Sequence, residues 1–296
     1  MNWIALSLLA PLFWALSNFV DKYVLNQHSK GIFDFLFFST ITCWFLFLII
    51  LAFIGLPEPS VYFWIPISTG VILIYSYGFY AKALEQSDTS SLVILFKLIP
   101  VVTVILAYFF LDQTLSANES VGFIIVLFGA SIVSLDKGGR MAIKGLGMII
   151  IAILIWSGMT LLIDFGLTKL AFWDYFLLDT LGSAIAGLTL FIIPKMRREL
   201  LAGLKSATTS KYLWFTGNNL LDFLGQMSIK KALAIAPSVG LVTVVMQVQS
   251  FYAILIGIIL TTLIPEVIKE DISTTTLLKK LLGAVVMFGG VYVLLD

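Results

Sequence analysis

In the stretch GNNLLDFLGQMSIKKA, residues 217 to 232, Asn218, Asp222 and Gln226 recur every four residues. A helix would stack all three on one face. A carboxylate between two amides can hold an ammonium group, orient a polar ligand through hydrogen bonds, or exchange a proton. The flanking sequence is apolar, so this face has no evident water to turn to. A carboxylate out of water needs a partner or a ligand.

Other polar and aromatic side chains sit in similarly apolar surroundings. Trp14 and Asn18 are four apart, as are Trp156 and Thr160. Tyr77 and Tyr80 share a segment with Tyr75, and Gln247 shares a helical face with Thr243. Aromatic rings stack on ligands and attract cations, and hydroxyls and amides fix orientation. Lys97 is the cation that could hold a substrate carboxylate while Asp222 holds its amino group. Asp222 is also the candidate proton-coupling group. Each has a structural alternative: Lys97 can snorkel to an interface, the tyrosines can form an interfacial belt, and amides can join helices. Asp21 beside Lys22, and Asp164, read as lying near span ends. Asp179 reads as deep but peripheral. The pair Lys230-Lys231 reads as a helix end at the membrane surface, outside the site.

The composition says what must position these groups. The chain has 296 residues, 60% hydrophobic and 12% charged, with a mean hydropathy of +1.05. Soluble domains carry about 25% charged residues. A net charge of +1 supplies no field for nucleic acid. The single Cys43 cannot form an internal disulfide, and no Cys/His cluster has metal-ligand spacing. His28 reads as a solvated loop residue. No Walker-type glycine loop is present and no nucleophile–base pair is visible, so neither ATP hydrolysis nor another enzyme activity is expected, and no cofactor. The N-terminus lacks a basic leader and a small-residue cleavage site and reads as a retained first span.

A bilayer core of about 30 Å needs about 20 mostly apolar helical residues. Ten runs meet that need: 3–23, 32–55, 61–83, 90–111, 119–135, 145–167, 172–194, 212–234, 237–263 and 278–295. Their length and lack of strict alternation argue against a β-barrel. The longest polar link, 195–211, is too short to be a domain. The expected fold is an all-α integral membrane protein of ten helices. Lys and Arg concentrate in the odd-numbered connections, which places both termini outside the cytoplasm if they follow the positive-inside rule.

The chain also repeats. LFGASIVSLD (127–136) parallels MFGGVYVLLD (287–296), and KALEQSDTSSLV (82–93) parallels KALAIAPSVGLV (231–242). LFWALSNFV (12–20) sits opposite LIWSGMTLL (154–162). The repeats are residues 1–138 and 141–296. Five helices per repeat is an odd number, so the two would be inverted in the membrane, as in many secondary transporters with a midplane site.

Two five-helix halves with these motifs resemble EamA-type members of the drug/metabolite transporter superfamily. The strongest local match is 82–133, with its mid-helix Pro100 and the fifth helix beginning at Gly122. The sequence departs from the family at Gln113, where a Glu is usual, and in the expanded turn 261–280. Family habit also puts the termini in the cytoplasm, against the charge count, so orientation stays open. The resemblance implies a central cavity lined by helices 1, 3, 4, 6, 8 and 9. The expected function is a secondary active transporter of a small polar or zwitterionic, amino-acid-like metabolite, working by alternating access, with proton coupling left open. The alternative is efflux of lipophilic or aromatic cations, and a channel ranks lower. Expected partners are the small-molecule substrate, the lipid bilayer and protons, with no nucleic acid. The chain would be a monomer or homodimer in a prokaryotic inner (plasma) membrane.

Overall fold

The computed structural model describes residues 2–111, 117–134, 145–236, 242, 245–246, 248–266 and 268–295. Among them the regular structure is entirely helical: α1 (Trp3–Gln27), α2 (Ile32–Ile54), α3 (Trp64–Leu84), α4 (Thr89–Leu95), α5 (Leu98–Leu111), α6 (Ala117–Ser134), α7 (Leu146–Lys169), α8 (Phe172–Thr189), α9 (Pro194–Lys205), α10 (Thr209–Ile235), α11 (Gln249–Leu263) and α12 (Thr274–Leu295). By length and composition α1, α2, α7 and α12 can cross a membrane, as can the bent pair α8–α9 taken together. α3 and α10 are long enough but too polar to be counted with them. They are the helices that carry Tyr77, Tyr80, Asn218 and Asp222.

One predicted span is interrupted, and one predicted link is helical. The run 90–111 divides into α4 and α5 at Phe96-Lys97. Pro100 has no N–H to give the Phe96 carbonyl, and that carbonyl takes the Ile99 N–H at 2.9 Å in a tighter turn. The helix is therefore broken ahead of Pro100, and the Phe96 carbonyl is satisfied within the turn. The link 195–211, expected to be plain connection, contains α9. Pro194 opens this helix, a position where the missing N–H costs nothing.

Two helix starts are completed from a distance. α2 begins at Gly31, which offers no side-chain cap, and Glu199 Oε1 accepts the N–H groups of Phe33 (2.8 Å) and Asp34 (3.1 Å). At α4, Glu270 accepts from the Thr89 N–H (2.8 Å) and the Ser90 hydroxyl (2.6 Å). A carboxylate at a helix N-terminus satisfies orphan donors and complements the helix dipole. Lys280, 3.0 Å from Asp88 and 3.3 Å from Glu270, balances the second of these charges.

α1 packs on α10 and α11, α3 on α7 and α8, α5 on α7, α2 on α8 and α10, and α6 on α12. The α3–α8 contact brings backbone against backbone. A Cβ on Gly70 would meet the Asp179 carbonyl, and one on Gly182 would meet the Ile67 carbonyl. Small residues at such crossings let membrane helices gain close van der Waals contact. Gly182→Val should therefore destabilise the fold by more than the roughly 1–3 kcal/mol typical of an overpacked core, because backbone cannot move aside as a side chain can. Thermal unfolding of the detergent-solubilised protein measures this, and an unchanged midpoint would contradict the packing.

Candidate functional site

The polar side chains of α10 converge on α1, α2, α3 and α8. Asn218 donates to Asp21 Oδ1 at 2.6 Å, and its own carbonyl oxygen accepts from Ser17 at 3.0 Å. One turn on, Asp222 Oδ1 accepts the Tyr77 hydroxyl at 2.8 Å. Asn219, on the neighbouring face, donates to the Phe38 carbonyl and Thr42, both at 3.0 Å, and fastens α10 to α2. Tyr80 donates to Asn18 Oδ1 at 2.9 Å, tying α3 to α1. The helical spacing of four read from the sequence is what puts Asn218, Asp222 and Gln226 toward the same neighbours.

A small cavity opens among these groups. Its walls include Ser17, Asp21, Tyr77, Asp179, Asn218, Asp222 and Gln226, and its volume is about 50 Å³. That space suits a water or two; ligand pockets run from about 300 Å³ upward. Behind Tyr77 lies an aromatic cluster. Tyr77 and Tyr80 are 5.7 Å apart between ring centroids, Tyr80 and Trp156 6.0 Å, and Phe96 and Trp156 5.2 Å. Trp156 is held by a 2.7 Å bond from its indole N–H to Ser76.

The residues singled out from sequence take different places. Asp222, Asn218, Gln226 and Tyr77 line the cavity. Asn18, Tyr80 and Trp156 stand one layer back, through the contacts just given. Thr160 turns its hydroxyl onto its own helix, 2.9 Å from the Trp156 carbonyl. Trp14 lies against Gly225, where an added Cβ would be 2.5 Å from its Nε1. Lys97 is buried, but its ammonium lies 5.3 Å from the Phe251 ring and 5.1 Å from the Phe288 ring, at the α4–α5 break, and it is not among the cavity walls. The break and the packing against α11 and α12 set its direction, which depth in a span does not reveal. Gln247 and Thr243 lie outside the described residues.

Three readings change. Lys230, taken as a surface helix end, is 1% exposed and forms a 2.5 Å ion pair with Asp179. Asp179, taken as peripheral, is a cavity wall and also accepts from Thr69 at 2.8 Å. Asp21, taken as interfacial, is buried against Asn218. A lysine near a span end looks interfacial in any hydropathy reading, and its partner is 51 residues away in the chain. The one available signal was the coincidence of a deep Asp in one span with a Lys in another. Among the described residues no group of His, Cys, Asp or Glu is arranged to hold a metal ion.

The chain matches the EamA-like transporter family over residues 1–135. No curated protein matches it. A solved crystal structure, described only as that of a protein, shares 14% identity, covers 98% of this chain and 95% of its own, and superposes with a TM-score of 0.61. At that identity the likeness is one of fold, and it extends across both halves of the chain.

The buried ion pair generates a test. Lys230→Met leaves the Asp179 carboxylate buried without its cation and should cost about 3–5 kcal/mol of stability. Replacing both, as in Lys230→Met with Asp179→Leu, should recover most of that loss. Thermal unfolding of the purified variants reads both; a single variant as stable as the parent would mean that the pair is not formed.

Proposed function

We propose, starting from the match of residues 1–135 to the EamA-like transporter family, that the chain is a secondary transporter of the drug/metabolite type that moves small metabolites bearing a protonated amine. The observation that carries the reading is the cavity wall. Asp21 and Asp222 face one space from two helices, an aromatic cluster stands behind it, and the lysine expected to complete the site, Lys97, lies elsewhere. Carboxylates bind an ammonium group by charge-assisted hydrogen bonds, and ring faces add cation–π attraction. An amino-acid-like substrate fits the amine end of this site. An aromatic or lipophilic cation fits it without calling for a second charge, and the placement of Lys97 favours that reading.

Two halves of five helices, residues 1–138 and 141–296, moving against each other would provide alternating access. The packing supports this division. α1 packs on α10 as α7 packs on α3, and α1 packs on α11 as α7 packs on α5. Exchanging corresponding helices of the halves leaves these contacts in place. A 50 Å³ cavity admits no metabolite, so substrate entry requires the walls to part.

Counterflow in proteoliposomes tests the substrate class, with amino acids, aromatic amines and quaternary aromatic cations as candidates. Asp222→Asn should weaken apparent affinity for the transported amine roughly 10- to 100-fold, the loss expected for one hydrogen bond to a charged group. Full activity in that variant would sink the assignment. For the proton arm, an imposed pH gradient should drive substrate movement in the parent protein and lose its effect in Asp222→Asn. A parent protein indifferent to the gradient would remove proton coupling from the mechanism.

A further inference from the structure

After α8 the chain turns at residues 190–193, and α9 leaves at 98° to it. If α8 runs along the membrane normal, α9 lies in the plane of the membrane surface. The helix has two unlike sides. Met196, Leu200 and Leu204 pack into the core, and Gly203 sits tightly against the Asp34 carboxylate. Glu199, the only acid of α9, is turned inward to cap α2. The outer side exposes Lys195, Arg197, Arg198 and Lys205. Beside them, Ile192 is 75% exposed, and Ile193 and Leu201 are each 45% exposed.

This combination has a specific chemistry. A solvated helix gains nothing from bare isoleucines and a bare leucine among its cations. At a membrane surface the same residues are complementary to their surroundings. The apolar side chains enter the acyl boundary, and the ammonium and guanidinium groups meet phosphate oxygens. Arginine's planar fork suits phosphate in particular. We infer that α9 is a docking helix for the headgroups of anionic phospholipids, with Lys195, Arg197, Arg198 and Lys205 as the phosphate contacts and Ile192, Ile193 and Leu201 as apolar anchors. The same helix carries Glu199 on its inner side, so a lipid held outside steadies the capping of α2 within. The inference depends on membrane embedding alone and is independent of which substrate the cavity takes.

The test uses the full-length protein in uncharged detergent, with phosphatidylglycerol or phosphatidylcholine added. Native mass spectrometry counts retained lipid, and thermal unfolding reports stabilisation. The parent should retain phosphatidylglycerol preferentially and be stabilised by it, with the preference falling as salt rises. Removing Lys195, Arg197 and Arg198 together as Gln should weaken that binding on the order of 100-fold, taking roughly fivefold per cation near an anionic surface. Arg197→Gln and Arg198→Gln singly should each give a partial loss, which keeps the test valid should the triple variant fold poorly. Equal retention of the two lipids, or an undiminished preference in the variants, would overturn the inference. So would equal stabilisation by inorganic phosphate alone, which would identify a free-anion site, or a preference for an acidic soluble protein over anionic vesicles.

Discussion

A carboxylate buried inside an apolar bundle cannot fall back on water, and here four of them are fastened to another helix. Asp34 of α2 holds Lys211, Asp179 of α8 holds Lys230, Asp21 of α1 takes Asn218, and Asp222 takes Tyr77 of α3. Lys211, Asn218, Asp222 and Lys230 all belong to α10. That helix is therefore a polar spine through an apolar bundle, and its apolar contacts are arranged around the four neighbours its polar groups reach. The constraint explains why α10 is too polar to register as a membrane span and yet is the longest helix described. Its desolvation cost is offset by its neighbours, not by its own composition.

How much of this was legible in the sequence depends on whether the determining interaction is local. Helix positions follow from apolar runs, and most bounds agree to within a few residues. The face shared by Asn218, Asp222 and Gln226 follows from helical period. α9 was also legible in principle, since Pro194 opens it and Met196, Leu200 and Leu204 recur at helical spacing, but its charge density made it look like a link. Partner choice was not legible. Lys230 and Asp179, or Asn218 and Asp21, meet only through tertiary packing, and a single sequence carries no record of that meeting. The same limit explains Lys97, whose depth was evident and whose direction depends on Phe251 and Phe288 closing over it.

The cavity and the spine share residues, and this has a mechanical meaning. Asn218 and Asp222 hold α10 to α1 and α3 by hydrogen bonds and also line the cavity. Under the proposed function, a polar substrate would take over some of those bonds. Binding and opening would then be one exchange of hydrogen bonds, in which the net energy is small because partners are traded and not created. A site of this kind can release its guest as readily as it accepts it.

The remote caps of α2 and α4 bear on how the molecule is made. Glu199 lies 166 residues beyond the Phe33 amide it satisfies, and Glu270 lies 181 residues beyond Thr89. A ribosome delivers the early helices long before either glutamate. During that interval the first turns of α2 and α4 must borrow water or headgroup oxygens, and they settle only when the later segments arrive. Synthesis order thus makes the second half a finishing component for the first, and the early half on its own is an incomplete solution to its own hydrogen bonding.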